Sequence, residues 1–224
     1  MNNNLIAFIP ARKGSKSIKN KNLKLINKKS LVEITIDQAI KSKIFKRVIL
    51  SSDSKKILEI GKKKKILTIE RPKKFSLDKS LTEDSLYHSI LNFREFENFN
   101  YGIIILQPTS PLRKISTIKN FAKICCSKNL NHALSVSKID HNISIENRNK
   151  KFKILGNKNI RRRQDRLGFV YENGLLYYVT KKSFLKNKKI YSSNWNYYET
   201  DLYESLDINS PKDLKIAKLT YRKI

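Results

Sequence analysis

The sequence predicts a single α/β domain: a mostly parallel central sheet with helices on both faces, plus one small excursion late in the chain. Three observations carry this. Four apolar runs, Leu5 to Ile9, Val48 to Leu50, Ile66 to Ile69 and Ile103 to Leu106, are continuous rather than alternating, as strands buried on both faces of a parallel sheet require. Helical patterns separate these runs, so strand and helix alternate through the first half. The polar and charged residues with chemical potential cluster just after the strands, where ligands of open α/β sheets collect.

The elements follow in order. Leu5 to Pro10 is short, has no basic segment before it and runs into Arg12 and Lys13, so it reads as a buried strand rather than a signal segment. Ser30 and Glu33 form a capping box ahead of Leu31, Ile34, Ile36 and Ile40, and Ser54 is placed to cap Ile57, Leu58 and Ile60. A third helix is predicted from about Leu81 to Phe93 and a fourth from Ile115 to Ser127. From about Lys138 to Arg162 the pattern weakens to basic residues with short apolar pieces such as Phe152 to Leu155, an excursion from the sheet. Order returns with a strand at Gly174 to Val179, a short helix around Ser183 and a last strand near Ser205 to Ile208. Ser210 and Pro211 then supply the N-cap and first position of a terminal helix.

With 224 residues and 39% hydrophobic content the chain can bury a real core, while 6 Gly and 5 Pro exclude collagen-like and low-complexity classes. Cys125 and Cys126 are adjacent and cannot build a disulfide framework, and His88, His132 and His141 show no metal-ligand spacing. A reducing, cytoplasmic setting without a membrane segment is expected. Lys and Arg number 48 against 19 Asp and Glu, a formal charge of +29, which points to anionic partners. Asn and Ile are abundant beside Lys, so A/T-rich coding bias accounts for part of the excess. A nucleic-acid-binding module is the rival from another class. It predicts basic and stacking aromatic residues on one face, whereas the basic residues here run throughout and no nucleic-acid motif appears.

The loop after the first strand places Arg12, Lys13, Lys16, Lys19 and Lys21 around Gly14 and Ser15. Such a turn can aim backbone N–H groups and ammonium charges at phosphates, although the spacing is not that of a P-loop. A solvated basic loop is the alternative. Ile9 to Leu23 (IPARKGSKSIKNKNL) resembles the signature loop of the acylneuraminate cytidylyltransferases, the CMP-sialic acid synthetase family. Four further stretches are similar to that family in order and spacing: Ser51-Ser-Asp53; Glu70-Arg-Pro72 with Asp78 and Thr82; Leu106 to Arg113 (LQPTSPLR); and Arg163-Gln164 followed by Asn173-Gly174. Ser205 to Asn209 with Asp213-Leu214 is similar to the family's D-I-D strand and terminal helix.

The resemblance implies a nucleotide-diphospho-sugar transferase-like fold and a nucleotidyltransferase that joins CTP to an acidic nine-carbon, sialic-acid-like sugar and releases pyrophosphate, in the setting of cell-surface polysaccharide biosynthesis. It implies that Arg12 and Lys21 bind and neutralise the triphosphate and act in catalysis with Asp207, with Asn22 close to the nucleotide. Fixed cations in a dry site stabilise charge developing on a leaving diphosphate. By the same resemblance Arg71, Ser80, Thr82, Asn173 and the backbone near Ala11 contact cytosine and ribose, Gln107 holds the sugar, and Arg163 meets its carboxylate through a planar fork. Arg161, Arg162 and Arg163 are consecutive, which leaves that register open by a position. For Mg2+ the family pattern presents two carboxylates, where this chain has Asp207 and Asn209. Alternate residues of a strand face one way, but Asn offers only a neutral carbonyl, so weaker metal binding is expected. Asp53 is a further candidate, or a simple cap for the next helix. Residues 138–168 are expected to form a dimerisation arm of a homodimer, with His141 a surface residue; no nucleic-acid or membrane partner is expected. An eight-carbon ulosonate substrate and a CTP-binding pseudoenzyme remain as alternatives, and no general base stands out.

Overall fold

The computed structural model describes residues 4–77, 79–92, 100–139, 143–146, 152–155, 168–191 and 196–221. In chain order its elements are β1 (Leu5–Pro10), β2 (Leu25–Ile26), β3 (Lys29–Ser30), α1 (Leu31–Ser42), β4 (Arg47–Ser52), α2 (Lys55–Lys63), β5 (Leu67–Glu70), α3 (Thr82–Leu91) and β6 (Gly102–Ile105). They continue with α4 (Ile115–Ser127), β7 (His132–Ile139), β8 (Ile143–Glu146), β9 (Phe152–Leu155), β10 (Phe169–Thr180), α5 (Lys181–Asn187), β11 (Asn196–Glu199) and α6 (Pro211–Tyr221).

The continuous apolar runs split by side-chain parity. Leu5, Ala7 and Ile9 of β1 enter one core with Val32, Ile36 and Ala39 of α1 and Ile118 and Phe121 of α4. Ile6 and Phe8 enter the other, with Leu86 of α3 and Phe184 of α5. Helices therefore cover both faces, as two-sided burial of a parallel strand demands. The seven-stranded sheet has the order β11-β7-β10-β6-β1-β4-β5. β1 pairs in parallel with β4 and β6, β4 with β5, and β7 with β11, while β10 runs antiparallel to both β6 and β7. The strand order reverses between β1 and β6, which opens a crevice at their carboxyl ends.

Helix starts follow the local chemistry unevenly. Glu33 N–H donates to Ser30 Oγ at 3.3 Å and Ser30 N–H to Glu33 Oε2 at 2.8 Å, the reciprocal bonds of the capping box. Ser210 and Asp213 repeat the arrangement at α6, where Ser210 N–H donates to Asp213 Oδ2 at 2.6 Å. Ser54 occupies the N-cap position of α2 but makes no side-chain cap bond.

The expected last strand is a correction. Residues 205–208 are irregular, and the sheet edge beside β7 is taken by the earlier segment β11, Asn196–Glu199. Ile208 is instead a fully buried anchor among Ile18, Ile26, Leu31, Ile34 and Ala217, and its N–H donates to Thr109 O at 2.9 Å. The predicted strand at Gly174 starts earlier, at Phe169, and contains a bulge: its register with β7 jumps from Glu172 opposite Val136 to Tyr177 opposite Leu134. Gly174 takes φ +73° inside that bulge, a backbone region few other residues tolerate. In the excursion, β8 and β9 form their own antiparallel pair. The remainder of that expected arm lies mostly outside the described residues. Among the described residues no helix is long and apolar enough to cross a membrane.

Gln38 and Arg113 tie α1 to the loop after β6. Gln38 Nε2 donates to the carbonyls of Pro111 and Arg113, both at 2.8 Å, and Arg113 donates back to Gln38 Oε1 at 3.1 Å. Gln38→Ala strips partners from a buried cation and two carbonyls, so urea denaturation is expected to show a loss of ~2–4 kcal/mol. A loss below ~1 kcal/mol would show that water replaces the amide there.

Candidate functional site

A cleft of about 280 Å³ opens where the strand order reverses. The loop after β1 contributes Arg12, Gly14, Ser15, Lys21 and Asn22; Arg71 follows β5; Ser80, Thr82 and Ser85 surround the start of α3; Gln107, Pro108 and Thr109 follow β6. The loop is held in shape by its neighbours. Lys13 N–H donates to Asp53 Oδ1 at 2.7 Å, so Asp53 is a tether for the basic loop, and Asn22 Nδ2 donates to Arg12 O at 2.9 Å. Ala11 is fully buried, with its N–H on Ser51 O and its carbonyl accepting from Ser52 Oγ at 2.6 Å. Its backbone thus supports the cleft wall, whereas Pro10 beside it lines the cleft.

The cations differ in how they are held. Arg12 lines the cleft with one guanidinium nitrogen 3.1 Å from Leu77 O. Arg71 is 6% exposed and donates to Ser51 O at 2.9 Å, Ser51 Oγ at 3.3 Å and Phe75 O at 3.4 Å. Burial pulls its pKa down to about 10, opposed by Asp53, so it stays a cation at neutral pH in the cleft floor. Burial holds His88 below its ordinary value, and Arg71 and Lys74 add to that shift. Lys21 Nζ donates to Ile208 O at 2.7 Å and reaches Asn209 Oδ1 at 3.4 Å. Desolvation lowers its pKa, with Asp207 opposing and Arg12 adding to the shift.

Through Lys21 the basic loop meets the segment 207–209. Asp207 Oδ2 accepts from Asn209 Nδ2 at 2.7 Å, and Asp207 Oδ1 is buried with no hydrogen-bond partner among the described residues. The two side chains are neighbours because Ile208 between them is anchored in the core, not because they alternate on a strand. No group of three His, Cys, Asp or Glu residues is arranged to hold a metal among the described residues.

A second cleft, of about 560 Å³, adjoins the first and shares Gln107 with it. Asp207 and Asn209 stand on its border, and Tyr171, Glu172, Gly174, Tyr177 and Leu202 form its walls. Asn173 borders this second cleft and not the first. Its amide is used up inside the protein: Nδ2 donates to Ser137 Oγ at 2.8 Å and Thr200 Oγ1 at 2.7 Å, while Oδ1 accepts from Ser135 Oγ at 2.7 Å and Leu175 N–H at 3.1 Å. As placed, it staples β7, β10 and the chain after β11 together. Arg12, Lys21, Asn22, Arg71, Ser80, Thr82 and Gln107 are brought together; Asp78, His141, Arg163 and Gln164 lie outside the described residues. Ser85 and Glu172 are site-lining residues that no motif singled out, since each gains its place only through the tertiary fold.

Among solved structures, the chain is similar to a CMP:2-keto-3-deoxy-manno-octonic acid synthetase complexed with CTP, with a TM-score of 0.72 at 14% identity over 98% of this chain and 99% of that one. It is also similar to a 4-diphosphocytidyl-2C-methyl-D-erythritol synthase from Anaerococcus prevotii, TM-score 0.69 at 12% identity, over 98% and 99% of the two chains. These likenesses show the fold. The model of one protein family, described as Cytidylyltransferase, matches residues 6–220, and the chain belongs to that family. Its relatives include an N-acylneuraminate cytidylyltransferase of Streptococcus agalactiae serotype V, 29% identical over 93% of this chain and 51% of the relative. They include a CMP-N,N'-diacetyllegionaminic acid synthase of Legionella pneumophila, 28% identical over 96% and 94% of the two chains. A pseudaminic acid cytidylyltransferase of Campylobacter jejuni is 25% identical over 97% and 96%. The chain spans about half the length of the Streptococcus relative it matches.

The closed network of Asn173 generates a stability prediction. Asn173→Ala leaves Ser135, Ser137 and Thr200 hydroxyls without their shared partner, so chemical denaturation is expected to show a loss of ~2–3 kcal/mol. A change below ~0.5 kcal/mol would mean that the amide is not structural.

Proposed function

We propose that the protein is a magnesium-dependent cytidylyltransferase that joins CTP to a nonulosonic acid, giving a CMP-sugar and pyrophosphate. The observation that carries this reading is the meeting of two clefts at Gln107: a basic cleft fit for a nucleoside triphosphate opens directly onto a larger one fit for a sugar. The sugar's anomeric hydroxyl attacks the α-phosphorus in line, and the bond to the pyrophosphate oxygen breaks as the new P–O bond forms. Arg12 and Lys21 face the triphosphate and stabilise the charge gathering on the leaving group. They are fixed before the reaction by Leu77 O, Ile208 O and Asn209. Arg71, Ser80 and Thr82 surround the base and ribose, and a polar wall of this kind rejects other bases by leaving its groups unpaired. Gln107 orients the sugar between the two clefts, and Arg163 is the proposed partner of its carboxylate. No side chain is assigned as general base: the hydroxyl is positioned for attack, and its proton passes to a phosphate oxygen or to water.

The unpartnered Asp207 Oδ1 fits a magnesium site, because Mg2+ takes one or two carboxylates with phosphate oxygens and water. Asp207 would hold the ion, which when bound supplies Lewis-acid polarisation of the phosphate oxygens. Asn209 turns its amide nitrogen to Asp207 and its oxygen to Lys21, so it orients the carboxylate. The rest of the proposal is a homodimer whose arm spans 138–168, supported by the separate β8–β9 pair, and a reducing, cytoplasmic setting, supported by the free Cys125 and Cys126.

Pyrophosphate release is expected from CTP with at least one of N-acetylneuraminic, N,N'-diacetyllegionaminic and pseudaminic acids, with the CMP-sugar seen by mass spectrometry. Release with UTP or GTP but not CTP would overturn the base assignment. Lys21→Met is expected to lower kcat/KM ~100-fold or more by removing a preorganised charge; a loss under threefold would remove Lys21 from the triphosphate site. Asn209→Asp adds a second carboxylate beside Asp207, and the Mg2+ concentration for half-maximal rate is expected to fall severalfold. An unchanged Mg2+ dependence would put position 209 outside the metal's reach.

A further inference from the structure

The second cleft carries an acidic wall in a chain whose formal charge is +29. The bulge in β10 builds it. Between Glu172 and Tyr177 the strand loses its regular register with β7, and Ser135 fills the gap by accepting Leu176 N–H at 2.8 Å. The extra residues bring the side chains of Glu172 and Tyr177 to the same wall. Tyr177 O–H donates to Glu172 Oε1, and Tyr191 O–H donates to the same oxygen at 2.9 Å. The two tyrosine rings brace each other edge to face, with centroids 6.2 Å apart and planes at 70°. Burial and the Glu172 contact push the Tyr177 hydroxyl far above its ordinary range and that of Tyr191 up to about 12, so both remain donors throughout the neutral range.

A carboxylate offers about four acceptor positions on its two oxygens. Both tyrosines converge on Oε1, and Oε2 takes no hydrogen bond among the described residues. Glu172 is therefore a clamped carboxylate on the wall of a cleft, with one oxygen that no described residue engages. We propose that Glu172 is a specificity-determining acceptor that selects sugar acids presenting a hydrogen-bond donor, an amide N–H or a hydroxyl, at the end remote from their carboxylate. This rests on the reading that the second cleft takes the sugar. The same charge repels the substrate's own carboxylate, so it turns that group away from the β10 wall. Attraction of the remote donor and repulsion of the carboxylate act in one direction, which is how a binding site combines selection with rejection. Two hydroxyls already hold the acceptor in place, so little side-chain freedom is lost when the donor arrives.

Steady-state kinetics of the full chain with CTP and Mg2+ test this, using N-acetylneuraminic, N,N'-diacetyllegionaminic and pseudaminic acids in turn. For each acid turned over, Glu172→Gln is expected to raise the sugar KM ~10- to 100-fold, the range for losing a hydrogen bond to a charged group. The values of kcat and the CTP KM are expected to stay within about twofold. Tyr191→Phe keeps the carboxylate but loosens its clamp, and its sugar KM is expected to fall between those of the wild type and Glu172→Gln. A sugar KM unchanged in both variants, or kcat and both KM values moving together, would overturn the proposal. If the wild type releases no pyrophosphate with any of the three acids, the reaction assignment fails on its own. Calorimetric titration of the same acids into wild type and Glu172→Gln then decides the role of Glu172: weaker binding by the variant supports it, and equal binding or none overturns it.

Discussion

One guanidinium, sealed beneath the loop after β6, holds the parts of the site in register. Arg113 is 2% exposed and donates to Leu175 O at 3.0 Å, Gln38 Oε1 at 3.1 Å and Gln107 O at 2.9 Å. These partners belong to the β10 bulge, to α1 and to the residue shared by the two clefts. A planar fork with five donors can reach three such directions at once, which a lysine ammonium on a flexible stem does not reproduce. Burial draws the pKa of Arg113 down to about 9, against the pull of Glu204, and the group remains charged at neutral pH. Glu204 is buried as well and is fixed by Lys114, through its N–H at 3.0 Å and its ammonium at 3.2 Å. Moving any one of these segments would strand a buried charge. The geometry of both clefts therefore inherits the rigidity of the core.

The large positive charge plays a smaller part than its size implies. Exposed pairs such as Lys62 with Glu59 add little to stability, because water screens them and both side chains lose freedom. What matters is where cations are desolvated. Arg71 and Arg113 spend their donors chiefly on carbonyl and side-chain oxygens and so act as scaffold, although Arg71 also exposes a charged face to the first cleft. Arg12 and Lys21 are the cations whose placement follows the strand order, at the end of β1 beside the reversal. Net charge selects the sign of a ligand; the topology selects which few charges it meets.

Much of the fold was legible because its signals are local. β1, β4, β5 and β6 are apolar runs, and the capping box at Ser30 needs only four residues. β7 and β11 were hard to read because serines and tyrosines interrupt them: Ser135 and Ser137 look like solvent-facing positions, yet they are buried partners of Asn173. Residues 205–208 have the alternation of a strand, but Ile208 is fixed by contacts with residues nearly two hundred positions away, which no local pattern contains. The cleft-lining motif residues were legible as a set. The internal bonding of Asn173, the tethering by Asp53 and the place of Glu172 were not, since each depends on a partner brought in by the sheet.

Asn209 shows how one departure from a pattern is absorbed. An aspartate there would set a second anion beside Asp207, at a distance where the present hydrogen bond is 2.7 Å, and two such carboxylates repel unless a cation lies between them. An amide removes the conflict because it donates and accepts at once. Its nitrogen satisfies Asp207 Oδ2 and its oxygen faces Lys21, so carboxylate, amide and ammonium form a chain of alternating polarity. Among the described residues, that chain leaves Asp207 Oδ1 as its one buried acceptor without a partner. The seam between the clefts is thus self-consistent in the protein alone, with one carboxylate oxygen left over.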